Sequence, residues 1–266
     1  ENSMPQFSPT KSCRPTLGPM RVSRAILFVA MVCVGGSKLR AAAPDALEAS
    51  PLVAPPEPKV DDAKKAPEVT PLSLPGSDPF VFRRIGEIEL RLHVVKPEGW
   101  AKDIRRPCLV GFFGGGWNTG TPTSSIIWAR WAASCGLVGI APDYRTRDRH
   151  GSFPEDSVSD GRAAVRWIVA HADELGIDPK RIICLGGSAG AHVAAWTAIP
   201  KPGPGKDDPA PENLPVALLL VNPVTDTTSG GYWRPERFGN DAARARASSV
   251  PDQMPEHMPP TIMFHA

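Results

Sequence analysis

In Arg181-Ile182-Ile183-Cys184-Leu185-Gly186-Gly187-Ser188-Ala189-Gly190-Ala191-His192-Val193-Ala194-Ala195-Trp196, a short apolar run ends in Gly-x-Ser-x-Gly and continues directly into an alanine-rich segment. That order reads as strand, tight turn and helix, with Ser188 at the apex. Such a turn holds its serine in a strained backbone conformation and exposes the hydroxyl above the sheet edge. Gly186 and Gly190 flank it because side chains there would collide where strand and helix approach closely. Gly-x-Ser-x-Gly alone is a weak signal. The flanking context turns Ser188 into a candidate nucleophile.

Outward from that turn, apolar runs alternate with helical patterns. Phe80 to Arg84 and Glu89 to Val95 read as strands, the second alternating apolar and polar as a half-buried antiparallel strand does, which puts His93 on its polar, surface side. Cys108 to Phe113, Leu137 to Ala141, the run before Ser188, and Val216 to Val221 are continuous apolar segments of the kind covered on both faces. Thr121 to Cys135 reads as a helix with Ile127, Trp131 and Cys135 on one stripe. Val158, Val165, Ile168 and Ala172 mark another that Gly176 stops, and Thr261 to His265 begins a last strand. The pattern predicts an α/β fold with a mostly parallel sheet flanked by helices and antiparallel strands at its N-terminal edge. Reactive sites in such sheets lie at the carboxyl ends of the strands, where Gly114 to Gly116, Asp143 and Ser188 all fall.

A serine hydroxyl is a weak nucleophile, so acyl transfer needs a base beside it and donors facing the developing oxyanion. The N–H of Ala189, at the start of the helix after Ser188, is one candidate donor. The run Gly114-Gly115-Gly116 supplies others, since glycine lets backbone approach a bound acyl group.

These pieces together resemble the α/β-hydrolase superfamily, nearest its hormone-sensitive-lipase-like and BD-FAE-like esterases. The resemblance rests on Phe113-Gly114-Gly115-Gly116-Trp117, Pro142-Asp143-Tyr144-Arg145, Asp160 through Trp167, Leu175 to Ile182, and Gly186 to His192. It implies an α/β-hydrolase fold, Ser188 as nucleophile, and oxyanion-hole amides from Gly115, Gly116 and Ala189. It also implies carboxylic esters of modest acyl length as substrates, acetylated or feruloylated sugars among them, and no cofactor or metal. Two departures stand out. Phe113 occupies the place where the family usually has histidine. The family also sets its acid and histidine after the strand that here begins at Thr261, so both are expected beyond Ala266 and the domain is read as incomplete. An internal set from Asp226, His257 and His265 is the less favoured alternative. His192 reads as structural, and Asp143 and Asp160 as local pairing or capping residues.

Composition narrows the rest. A formal net charge of +2 and 7% aromatic residues give no basis for nucleic-acid or membrane-surface binding by bulk electrostatics. Five scattered cysteines make no disulfide framework, and buried free thiols are expected. From Met20, the residues Arg21 and Arg24, an apolar run from Ala25 to Val34 and the closing Ala41-Ala42-Ala43 have the parts of a secretory signal peptide, with an apolar run too short to span a bilayer. Residues 1–43 are therefore read as tail and signal peptide, with export as the expectation. Residues 44–79, with nine prolines, are read as an extended linker, and residues 80–266 as the hydrolase domain. A serine peptidase of the same fold and a non-catalytic hydrolase-like binding module remain as alternative readings.

Overall fold

The computed structural model describes residues 69–232 and 234–265. The expected signal peptide, and the linker as far as residue 68, lie outside them. The sheet is built around two parallel strands with apolar runs, β3 (Arg106–Phe112) and β5 (Ile177–Gly187). β4 (Val138–Pro142) lies parallel to β3 on its other side, and β6 (Ala217–Val221) and β7 (Thr261–Phe264) extend the parallel array beyond β5. β1 (Asp78–Ile85) and β2 (Ile88–Val95) complete the opposite edge as an antiparallel pair, giving the order β1-β2-β4-β3-β5-β6-β7. The expected α/β-hydrolase architecture is what the chain adopts.

Helices cover the two faces differently. On one face lie α1 (Pro122–Ser134) and the side chains beneath it. On the other lie α3 (Pro154–Ala170) and α5 (Ala189–Trp196), with the short α2 (Arg147–His150) and α4 (Ala172–Leu175) between the larger elements. Past β6 come a 3-10 turn (Pro235–Phe238) and α6 (Ala242–Ser248). Because β3 leads to α1 on one face and β5 to α5 on the other, the loops leaving these neighbouring strands diverge. Such divergence opens a crevice at their carboxyl ends. Among the described residues, no helix is long and apolar enough to cross a membrane.

Four sequence expectations are corrected here. The stripe Ile127, Trp131 and Cys135 is the exposed side of α1, with Ile127 59% and Trp131 52% exposed. The inward side is Ser125, Ile126, Ala129 and Ala132. The reason is proximity: a Cβ on Gly139 of β4 would lie 2.0 Å from the Ala129 carbonyl oxygen, so only small side chains fit most of that side. Trp128 seats over Gly111, its ring 3.2 Å from where a Cβ there would stand. The expectation of buried thiols holds for Cys108 and Cys184 and fails for Cys135. His93 is fully buried, not on a wet face. Neither of its ring nitrogens has a partner, and burial lowers its pKa. Alternation presumes one solvated face, but β2 is covered on both: Leu74, Val95, Ile126 and Ala141 form a cluster on the α1 side, and Ala141 is the register partner of His93. Leu74 belongs to the stretch read as linker; residues 69–79 thus include chain that packs on the domain, and the Thr70 hydroxyl donates to Asp143.

Candidate active site

Ser188 sits between β5 and α5 with φ 52° and ψ −120°, a left-handed conformation rare for a residue with a side chain. Its side chain is exposed at the carboxyl end of the sheet. Its N–H donates to the Val221 carbonyl at the end of β6, 2.9 Å away, which ties the turn to the next strand. The neighbouring glycines are sterically required. A Cβ on Gly186 would stand 2.2 Å from the Gly190 oxygen, and one on Gly190 would stand 2.2 and 2.3 Å from the oxygens of Phe113 and Phe112. Strand, helix and the end of β3 therefore meet backbone to backbone.

The glycine run Gly114 to Gly116 follows β3 and borders Ser188: a Cβ added to Gly114 would be 3.6 Å from the Ser188 Cβ. Gly115 and Gly116 have φ 122° and 60°. The Gly115 carbonyl is turned into its own loop, accepting from the N–H groups of Asn118 and Thr119 at 3.1 Å each. A trans peptide directs the Gly116 N–H the opposite way. Among the described residues, no acceptor takes the N–H of Gly115 or Gly116. Ala189 is the first residue of α5, where N–H groups lack intrahelical partners. The structure thus brings the glycine run beside Ser188 through Gly114, with Ala189 the next residue along the chain from Ser188.

A second layer holds this arrangement from below. Trp117 is buried with φ 61° and packs against Phe238, at 5.8 Å between ring centres, and edge-on to His192 at 5.1 Å. His192 is buried, and its Nε2 lies 2.7 Å from the Ser248 carbonyl, which makes Nε2 the protonated nitrogen. Burial drives its pKa down to about 4, so the ring is neutral near pH 7. Trp196 Nε1 donates to the same carbonyl at 2.8 Å, fastening α5 to the end of α6. The Phe113 ring stacks on Tyr144 at 3.9 Å, and the Tyr144 hydroxyl donates to the Phe113 carbonyl at 2.6 Å.

The remaining candidates are placed elsewhere. Asp143 pairs with Arg149 at 2.8 Å, and Asp160, its pKa raised by burial, pairs with Arg145 and Arg83 at 2.8 and 2.7 Å. The Asp226 carboxylate accepts from Thr228 N and Oγ1 at 2.8 and 2.7 Å, and these bonds lower its pKa. His257 is exposed beside Glu256. No described side chain hydrogen-bonds to the Ser188 hydroxyl, so Asp226, His257 and His265 are not joined to it. Sequence reasoning missed Arg237, whose guanidinium donates to the Gly116 carbonyl from 121 residues away. Nothing local in the sequence marks that contact.

The BD-FAE family model matches residues 92–207, a span that holds the glycine run, Ser188 and the two strands between them, β4 and β5. An AB hydrolase superfamily protein of Schizosaccharomyces pombe is 34% identical over 145 residues, covering 51% of this chain and 38% of that protein. Carboxylesterase NlhH of Mycobacterium tuberculosis is 36% identical over 93 residues, covering 35% and 28%. The chain thus spans well under half the length of these curated relatives. Among solved structures, esterase 2 of Thermogutta terrifontis phosphoramylated by tabun has a TM-score of 0.62 and 36% identity, covering 72% of this chain and 71% of that one. The butyrate-bound form of the same esterase gives 0.63 and 34%, covering 72% of each. With the sheet order, the strained serine and the facing glycine loop already in place, this likeness makes the chain a member of the α/β-hydrolase esterase family.

Proposed function

We propose that this protein hydrolyses carboxylic esters of short acyl chains through an acyl-enzyme on Ser188, with the amides of Gly115, Gly116 and Ala189 receiving the oxyanion. The carrying observation is the left-handed backbone of Ser188 at the end of β5, with the glycine loop bordering it. In the first step the Ser188 oxygen bonds to the carbonyl carbon and its proton passes to a general base. The carbonyl π pair moves onto oxygen, where pre-aligned amides stabilise it. Collapse expels the alcohol, which leaves with a proton, and water then cleaves the acyl-serine to free acid and serine. The names of the relatives support ester hydrolysis, and forms of the Thermogutta terrifontis enzyme bound to propionate and butyrate support short acyl groups. Sugars acylated with acetyl or feruloyl groups are the proposed alcohol side, and the segment from Met20 to Ala43 supports export as the setting.

The test is turnover of p-nitrophenyl acetate by the protein as its gene encodes it, together with labelling by a fluorophosphonate probe. The expected result is hydrolysis and labelling that Ser188→Ala removes. Equal turnover by that variant would overturn the mechanism, and an unlabelled, inactive wild type would favour the binding-module reading. Faster cleavage of peptide amides than of matched esters would favour a peptidase.

A further inference from the structure

The glycine loop carries the proposed oxyanion donors, yet glycine supplies no side chain to hold its backbone. Gly115 and Gly116 both hold positive φ angles, and glycine sacrifices the most conformational freedom on being fixed. Two peptide planes meet at the Gly116 Cα. The first contains the Gly115 carbonyl and the Gly116 N–H, and it is held by the bonds from Asn118 and Thr119. The second contains the Gly116 carbonyl and the Trp117 N–H. Its carbonyl is held by Arg237 Nη1. Phe113, at the root of the loop, offers only a ring committed to Tyr144.

The fit around Arg237 is close. A Cβ on Gly116 would stand 2.2 Å from Arg237 Nη1, so the missing side chain of that glycine is the space the guanidinium fills. Arg237 makes no ion pair with a carboxylate among the described residues, and its Nε is buried without an acceptor. Its position is fixed by the 3-10 turn in which it lies: Arg237 N donates to the Arg234 carbonyl at 2.9 Å, and the next residue, Phe238, is buried against Trp117. A nearby guanidinium, Arg147, donates to the Glu236 carbonyl and so ties the same turn to α2.

We propose that Arg237 is a positioning residue: it clamps the second peptide plane of the glycine loop and so keeps the Gly115 and Gly116 amides aimed at the oxyanion position. This rests on the ester-hydrolase reading above. Oxyanion donors act only within a narrow distance range and only in the transition state. Loosening the clamp therefore lowers kcat and leaves substrate binding nearly unchanged.

The experiment compares Arg237→Met, Arg237→Gln and Arg237→Lys in the protein as encoded, reading kcat and KM on p-nitrophenyl butyrate and amide hydrogen exchange across residues 114–118. Arg237→Met is expected to lower kcat by roughly tenfold to a hundredfold with KM within about twofold, while Arg237→Lys, which keeps a cationic donor, recovers most of the loss. Exchange at Asn118, whose N–H is held by the Gly115 carbonyl, is expected to quicken by about tenfold in Arg237→Met, as a local tie lost without global unfolding. A loss in kcat with unchanged exchange, or unchanged values of both, would overturn the proposal. If Arg237→Met does not fold, Arg237→Gln carries the same measurements. If the wild type hydrolyses no ester, the functional reading fails, and the exchange data alone decide whether Arg237 holds the loop.

Discussion

The two faces of the sheet are built on different terms. The face under α3 and α5 is dry: Leu218 and Leu220 of β6, Cys184 of β5 and Val110 of β3 are buried with Val193 and Trp196 of α5. The face under α1 is closed over β2, β4, β3 and Leu185 of β5. Further along it, Ile183, Leu219 and Val221 are partly exposed. Successive residues of one strand therefore live in different solvents. The chemistry sits at the boundary, because the loops after β3 and β5 turn to opposite faces and leave Ser188 between them. Among the described residues, the turn at Ser188 is thus packed chiefly from the α5 side.

The sharpest way to break this contrast is Gly190→Ala. Its Cβ would intrude between α5 and the end of β3, and relief requires moving backbone, so a loss of about 3 kcal/mol or more in unfolding free energy is expected by denaturant titration. A paired measurement sharpens it. Leu220→Ala, on the dry face, should cost about 2 to 3 kcal/mol, and Leu219→Ala, one residue away on the half-open face, about 1 kcal/mol. Equal losses would show that the faces do not differ in the way described.

Acid supplies the smallest of the three effects. His192 titrates near 4 in the folded protein and near its ordinary 6.5 when unfolded, so between those values the unfolded chain binds the extra proton. Its contribution is complete above about pH 6.5 and is lost as pH falls toward 4, amounting to about 2 kcal/mol at pH 5 relative to pH 7. His93, also lowered by burial, acts in the same direction. Thermal melts across this range, repeated on His192→Phe, should show the slope reduced to the share left by the other groups that burial shifts, His93 and His150 downward and Asp160 and Glu155 upward.

Much of the core was legible because it is written in local pattern. The apolar runs became β3, β4, β5 and β6, and the strand–serine–helix order became the elbow. Both are set by neighbours in sequence. What failed depended on elements far along the chain. His93 was misplaced because its covering comes from the other side of β2, and the α1 stripe was misassigned because closeness to Gly139, not hydrophobicity, selects the inward residues. Arg162 gave no sign of burial. It sits in α3, pairs with Asp208 at 2.8 Å and donates to the carbonyls of Trp196, Ile199, Lys201 and Pro209, organising the proline-rich loop together with Arg166, which pairs with the same Asp208 at 3.0 Å. Ser188, Gly115, Gly116 and Ala189 are candidates that motif and context alone suggest. Arg237 could not be found that way, since a side chain bonding to a carbonyl follows no residue code.

One consequence of the Ser188 backbone reaches beyond chemistry. A left-handed conformation at a residue with a side chain costs on the order of 1 to 3 kcal/mol, and glycine would relieve it. The easiest substitution toward a hardier molecule is therefore also the one that disarms it. On the proposed mechanism, heat tolerance and reactivity pull in opposite directions at a single codon.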